Sequence, residues 1–101
     1  MTAAHKRRGT RREHQVAEVL RSEGWFVIRA AGSLGCADLV ALKAGEIARL
    51  VEVKSTTRAP FADFGPAKRK DLIAQAKVAG AAPLVAWWPP RRQLSWHYVV
   101  L

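Results

Sequence analysis

The chain reads as an α/β protein: a mixed central β-sheet flanked by helices, with elements in the order αβββαββ. Three observations predict this. Two stretches carry apolar residues at helical spacing, each opened by a start signal, and the first closed by Gly24. Two apolar runs flank Ala44-Gly45 and read as a hairpin. Two further β-type runs follow the second helical stretch, separated by Pro89-Pro-Arg-Arg92. At 101 residues, half of them hydrophobic, the chain suffices for one domain with one modest core and is not disordered.

Residues 1–9 are expected to form a flexible basic arm ending at Gly9. Thr10-Arg-Arg-Glu13 has the spacing of a capping box and predicts a helix from there to about Glu23. Its apolar stripe is Val16, Ala17 and Leu20, flanked by Val19, and Gly24 is the stop. Trp25 to Arg29 reads as a strand, and Ala30 to Gly35 as a loop of small residues. The hairpin strands are Asp38 to Lys43 and Ile47 to Lys54. Ser55 to Phe64 is a polar, Pro-containing connection. Gly65-Pro66 suits a helix start, because proline is preorganised for the first turn. That helix runs to about Ala79 and buries Leu72, Ile73 and Ala76. Leu84 to Trp88 and Ser95 to Leu101 are the last strands, with Trp96, Tyr98 and Val100 on one face.

Charge narrows the function. Seventeen Lys and Arg against eight Asp and Glu give a formal charge of +9, which favours a polyanion, nucleic acid first; a basic surface that only aids solubility is the alternative. The lone Cys36 excludes an intramolecular disulfide and a Cys-based zinc cluster, and reads as a small core residue. His5, His14 and His97 match no metal-ligand spacing. The basic start has no apolar core and is not a secretory signal, and no apolar run approaches the roughly 20 residues that span a bilayer. No helix is both strongly apolar on one face and basic on the other, against a membrane-surface role. A reducing cytoplasm fits best.

The hairpin gathers the chemistry. With residues 44–46 as a three-residue loop, Lys43 faces Ile47, Val40 faces Leu50, and Asp38 faces Glu52. The two carboxylates then share a sheet face with Cβ atoms roughly 5 Å apart. Lys54, two residues past Glu52, joins them. Two carboxylates and a lysine among Val and Leu are costly unless something binds there. Hard oxygen ligands suit Mg²⁺, which can activate water and stabilise charge at a phosphate. A compact lysine beside it could orient or help deprotonate that water. The plainer readings are strand-end carboxylates paired with arginine, and a snorkelling lysine. Glu13 lies on the apolar stripe of the first helix and reads equally as the capping-box partner of Thr10 and as an acid at the rim of a metal site. Ser33 has no convincing His partner, so a serine hydrolase does not fit.

Assembled, these residues resemble the restriction-endonuclease-like nuclease superfamily, and more closely the archaeal-type Holliday junction resolvases, a family also found in viruses. The landmarks are Arg8-Gly-Thr-Arg-Arg-Glu13, Val27-Ile-Arg-Ala-Ala-Gly-Ser33, Ala37-Asp-Leu-Val-Ala41, Val51-Glu-Val-Lys-Ser55 and Lys68-Arg-Lys-Asp-Leu72, and the Trp96-His-Tyr98 strand also fits. Any one is weakly specific; five in order are strong. The resemblance implies a restriction-endonuclease-like core and a dimeric, Mg²⁺-dependent endonuclease that nicks four-way DNA junctions symmetrically, with Mn²⁺ able to substitute and no small-molecule cofactor. It implies Asp38, Glu52 and the Val53 carbonyl as metal ligands, with Glu13 as the helical acid beside them. Lys54 would be the catalytic lysine and Ser33 a loop serine near the site. Ala37 stands where many superfamily members carry proline.

The phosphate contacts read from charge are Lys6, Arg7, Arg8, Arg11, Arg12, Arg29, Lys68, Arg69 and Lys70. Lys68 to Lys70 open the second helix, where basic residues oppose the dipole, which suggests another use. Arg58, Arg91 and Arg92 read as solvated loop charges. Trp25, Trp87 and Trp88 are expected mostly in the core. One of the Trp87-Trp88 pair, with Phe61 and Phe64, is a candidate dimer contact, and a two-fold dimer would match a four-way junction. The competing readings are another nuclease of the superfamily acting on linear duplex, and a non-catalytic DNA-binding module.

Overall fold

The computed structural model describes residues 3–30 and 37–101, with side chains from Gly9 onward. Five strands lie in the order β1-β2-β3-β4-β5: β1 Phe26–Arg29, β2 Leu39–Leu42, β3 Arg49–Lys54, β4 Ala82–Trp87 and β5 Ser95–Tyr98. All neighbours are antiparallel except β3 and β4, which run parallel and are joined through helix α2, Pro66–Ala79. A parallel pair needs such a crossover, which is why the long connection falls there. Helix α1, Ala3–Ser22, covers one face of the sheet and α2 covers part of the other, so each face has its own core. The element order is the one the sequence predicts.

The stripes are where periodicity puts them. Val16, Ala17 and Leu20 of α1 are buried against Val27, Leu39, Ala41, Val51 and Ala86. Leu72 and Ala76 of α2 are buried with Val85 and Val99, and Ile73 packs beside them. Gly24 ends α1 at φ +93 and Gly80 ends α2 at φ +64, left-handed positions that glycine takes without a Cβ clash. Pro66 stands in the first turn of α2. Trp87 and Trp88 lie on opposite faces, as strand alternation requires.

Three expectations need correction. The helix starts at Ala3, so residues 3–9, read as an arm, are helical, and Thr10 and Glu13 sit inside α1 and not at its N-terminus. Helix-favouring Ala, Lys and Arg outweigh Gly9, whose penalty is about 1 kcal/mol. Phe64 is 2% exposed and belongs to the α2-side core, so it is not a partner contact. β4 begins two residues early, at Ala82, because its pairing with β3 starts at Arg49.

Candidate active site

The hairpin register is Leu39 with Val51, Val40 with Leu50 and Ala41 with Arg49. Buried Leu39, Ala41 and Val51 fix it, since a one-residue slip would turn all three to the other face. The turn closes through the Glu46 N–H donating to the Lys43 carbonyl at 3.1 Å, with Gly45 at φ +78. Before Leu39 the regular ladder breaks. The chain bends at Asp38, whose N–H donates to the Val51 carbonyl at 2.8 Å although Val51 is already opposite Leu39. Two residues against one is a β-bulge, which re-aims a side chain at the end of a strand. Asp38 therefore does not stand directly across from Glu52 as simple alternation predicts.

The bulge sends the Asp38 carboxylate toward the end of β3, where its Oδ2 accepts the Val53 N–H at 2.8 Å. Its charge also bears on the Glu52 carboxyl. Backbone alternation adds an oxygen. Residue 51 directs its carbonyl, and residue 53 its N–H, toward β2, while Lys54 offers its carbonyl to Trp88 on the β4 side at 2.8 Å. The Val53 carbonyl thus points to the same side as its N–H, toward Asp38.

Burial sets the electrostatics. Desolvation, and then the Asp38 charge, push the Glu52 carboxyl up to about 7, with Lys54 working against that rise. Asp38 is also raised by desolvation, opposed by the Val53 N–H, Lys54, Glu52 and Arg29. Lys54 Nζ lies 3.5 Å from Glu52 Oε1, and it also donates to the Asp63 carbonyl at 3.1 Å and sits 5.5 Å from the Phe64 ring centroid. Two partly buried carboxylates that resist sharing negative charge, with the Val53 carbonyl on their side, are hard oxygen donors that fit a divalent cation of the Mg²⁺ type, and Lys54 stands beside them.

Glu13 approaches from α1. Its carboxylate accepts a 3.1 Å hydrogen bond from Arg29 Nε, with both groups mostly buried. Desolvation and the nearby Asp38 charge raise Glu13, and Arg29 opposes them. Glu13 is thus neither a cap nor gathered with the acid pair: among the described residues no group of three or more His, Cys, Asp or Glu is arranged to hold a metal. Ser33, like Cys36, lies outside the described residues.

The basic residues sort into several groups. Arg11, Lys68 and Lys70 are exposed. Arg12 stacks 4.7 Å from the Trp88 ring centroid and donates to Gln15 at 2.8 Å. Arg29 is committed to Glu13, and Arg69 donates to the Val100 carbonyl at 3.1 Å while lying 5.5 Å from the Phe61 ring, so it is a strut between α2 and the segment that follows β5. The side chains of Lys6, Arg7 and Arg8 lie outside the described ones. His97 packs edge-on against Trp87 and shares a hydrogen bond with Ser95, a structural role. Sequence reasoning missed the Asp63 carbonyl and the Val53 N–H, because backbone donors and acceptors leave no signature in residue type.

A mixed sheet with an acid pair and a lysine at the end of its central strand defines a nuclease of the restriction-endonuclease-like class. The model of the archaeal Holliday junction resolvase (Hjc) family matches residues 4–100, and the chain belongs to that family. Among solved structures, it is similar to Hjc of Archaeoglobus fulgidus, a Holliday junction resolvase from an archaeal hyperthermophile. Identity is 30%, with a TM-score of 0.79 over 89% of this chain and 76% of that one. No curated protein matches the chain.

Proposed function

We propose that this protein is a divalent-metal-dependent endonuclease that resolves four-way DNA junctions by paired, symmetric nicks, working as a homodimer. Membership of the resolvase family supports the substrate. The single observation that carries the chemistry is the half-buried Asp38–Glu52 pair with Lys54 at 3.5 Å from Glu52. Asp38, Glu52 and the Val53 carbonyl are the proposed ligands of Mg²⁺ or Mn²⁺. When bound, the cation would supply charge neutralisation at the phosphate and a more acidic water.

The chain's own residues do the rest. The Val53 N–H holds the Asp38 carboxylate in one orientation. Lys54 holds its ammonium beside Glu52, where it can orient a water and offset charge developing on the phosphate. Glu13, restrained by Arg29, is proposed to bear on the site through Asp38, and Ser33 is proposed to contact the reacting strand. Arg11, Lys68 and Lys70 are the exposed phosphate contacts, with Arg7, Arg8 and Lys6 beside them in sequence. Phosphate contacts give affinity without sequence readout, which suits an enzyme that recognises branch shape.

A second subunit has a place to sit. On the α2 side, none of the described residues covers the β1–β2 half of the sheet, where neighbouring Phe26 and Leu42 are 65% and 42% exposed and Ile28 48%. Contiguous exposed apolar side chains mark contact surfaces. The proposed location is the cytoplasm, the host's if the source is viral. No helix of the described residues is long and apolar enough to cross a membrane.

The deciding experiment is cleavage of an end-labelled four-way junction beside a linear duplex of the same arm sequence, with Mg²⁺ and with EDTA. Symmetric nicks on the junction alone, lost in EDTA, are expected. Equal cutting of both substrates would overturn junction selectivity, and tight binding without cutting would leave a binding module.

A further inference from the structure

The connection between β3 and α2 carries no acid-pair residue, yet it touches Lys54. Residue Asp63 stands at φ +35, a left-handed backbone that non-glycine residues rarely adopt and that Asp tolerates better than most. In that conformation its carbonyl accepts the Lys54 ammonium at 3.1 Å, while its carboxylate, on the outer side, is bound by Arg58. The rest of the loop is pinned independently: Trp87 Nε1 donates to the Thr56 carbonyl at 2.7 Å, Phe64 is buried, and Phe61 meets Phe64 edge-on at 6.5 Å. Between Thr56 and the Phe61–Phe64 pair the chain turns twice, the Ala62 N–H donating to the Ala59 carbonyl at 3.2 Å and the Phe64 N–H to the Phe61 carbonyl at 3.1 Å, and Arg58–Asp63 is the side-chain ion pair that ties the two ends of this stretch together.

We infer that the Arg58–Asp63 ion pair is a clasp that positions Lys54, by holding the Asp63 backbone in the conformation whose carbonyl receives the lysine ammonium. Arg58 and Asp63 are thus positioning residues, acting through Lys54 without touching DNA. This rests on the reading of Lys54 as the catalytic lysine. Both partners are largely exposed, and exposed pairs add little to global stability. Its effect is therefore local: it changes how often one carbonyl faces one ammonium, and misplacing a catalytic group carries a large rate penalty.

The test uses the full-length protein and the variants R58A, D63N and the double mutant. Asn keeps the tolerance for positive φ while removing the charge. If Arg58 instead binds a phosphate, R58A weakens junction binding and slows cutting, whereas D63N, which removes a negative charge, strengthens binding. The clasp predicts the same direction for both: single-turnover cutting at saturating enzyme falls about threefold in each, and no further in the double mutant. Junction affinity should change less than about twofold. A readout independent of cutting is hydrogen exchange of the amides of 57–59 and 61–64 and of the Lys54 ammonium by NMR, expected to quicken in each variant. Unchanged exchange at Lys54, additive rate losses, or opposite signs for the two single variants would overturn the clasp. If wild type cuts nothing while exchange at Lys54 responds as expected, the nuclease reading fails and the clasp stands.

Discussion

Glu52 is the residue where the proposed chemistry conflicts most with stability. Its carboxyl is held protonated up to about 7, against an ordinary value of 4.5, because burial and Asp38 both disfavour its charge. An acid that keeps its proton more tightly folded than unfolded stabilises the fold fully below pH 4.5. That stability drains away as pH rises from 4.5 through about 7. The metal-free protein should therefore melt lower at pH 8 than at pH 5. E52Q removes the buried charge and should raise stability at pH 8 by on the order of 2 kcal/mol, with little gain at pH 5, while abolishing cutting. Mg²⁺ should narrow the gap at pH 8 by stabilising wild type only. Thermal melts across pH, with and without Mg²⁺, measure this; an E52Q that melts lower than wild type at pH 8 would remove the strained acid pair from the account. Asp38 and Glu52 were legible in the sequence because carboxylates in an apolar strand pattern stand out. The bulge that aims Asp38 was not, because it is a backbone event that depends on two residues sharing one carbonyl.

Elements were legible where burial enforces a period and obscure where it does not. The β2–β3 register follows from Leu39, Ala41 and Val51 all needing one face. The start of α1 is set on a stretch whose sequence carries no apolar stripe, so Thr10-Arg-Arg-Glu13 imitated a cap inside a longer helix. This has a thermodynamic signature. An N-cap threonine replaced by alanine loses about 1 kcal/mol, whereas an interior threonine replaced by alanine loses nothing and gains a few tenths in propensity. T10A should therefore leave the denaturant midpoint unchanged or slightly raised, and a clear drop would restore the capping reading. The hairpin turn offers the complementary case. A Cβ at Gly45 would meet nothing within 4 Å, so G45A strains only the backbone at φ +78. It should cost about 1 kcal/mol in urea unfolding and leave junction cutting intact, because the register is held by the core and not by the turn.

For the whole molecule, the proposed function asks charge and shape to serve two active sites on one junction. The formal +9 supplies the attraction, and the two-fold arrangement must come from an interface. Sequence patterning directed attention to Trp87, Trp88, Phe61 and Phe64, since large aromatics in a small chain invite a partner. The fold uses them internally: Trp87 and Trp88 donate to the Thr56 and Arg92 carbonyls, and Phe64 is buried. What it leaves exposed is the β1–β2 half of the α2-side face, because one 14-residue helix is too narrow to cover five strands. Which half stays bare depends on where α2 lands, and local periodicity carries no record of that. Ile28 is the residue to change, since it is already 48% exposed and an aspartate there can reach water in a folded monomer. I28D should shift the protein from dimer to monomer in sedimentation while its melting point moves little. A cruciform in a supercoiled plasmid then separates paired from single action: the first nick relaxes the circle and dissolves the junction, so only two nicks made in one encounter give a linear product. Wild type should yield linear DNA and I28D nicked circles. A variant that stays dimeric and still yields linear DNA would place the interface elsewhere on the surface.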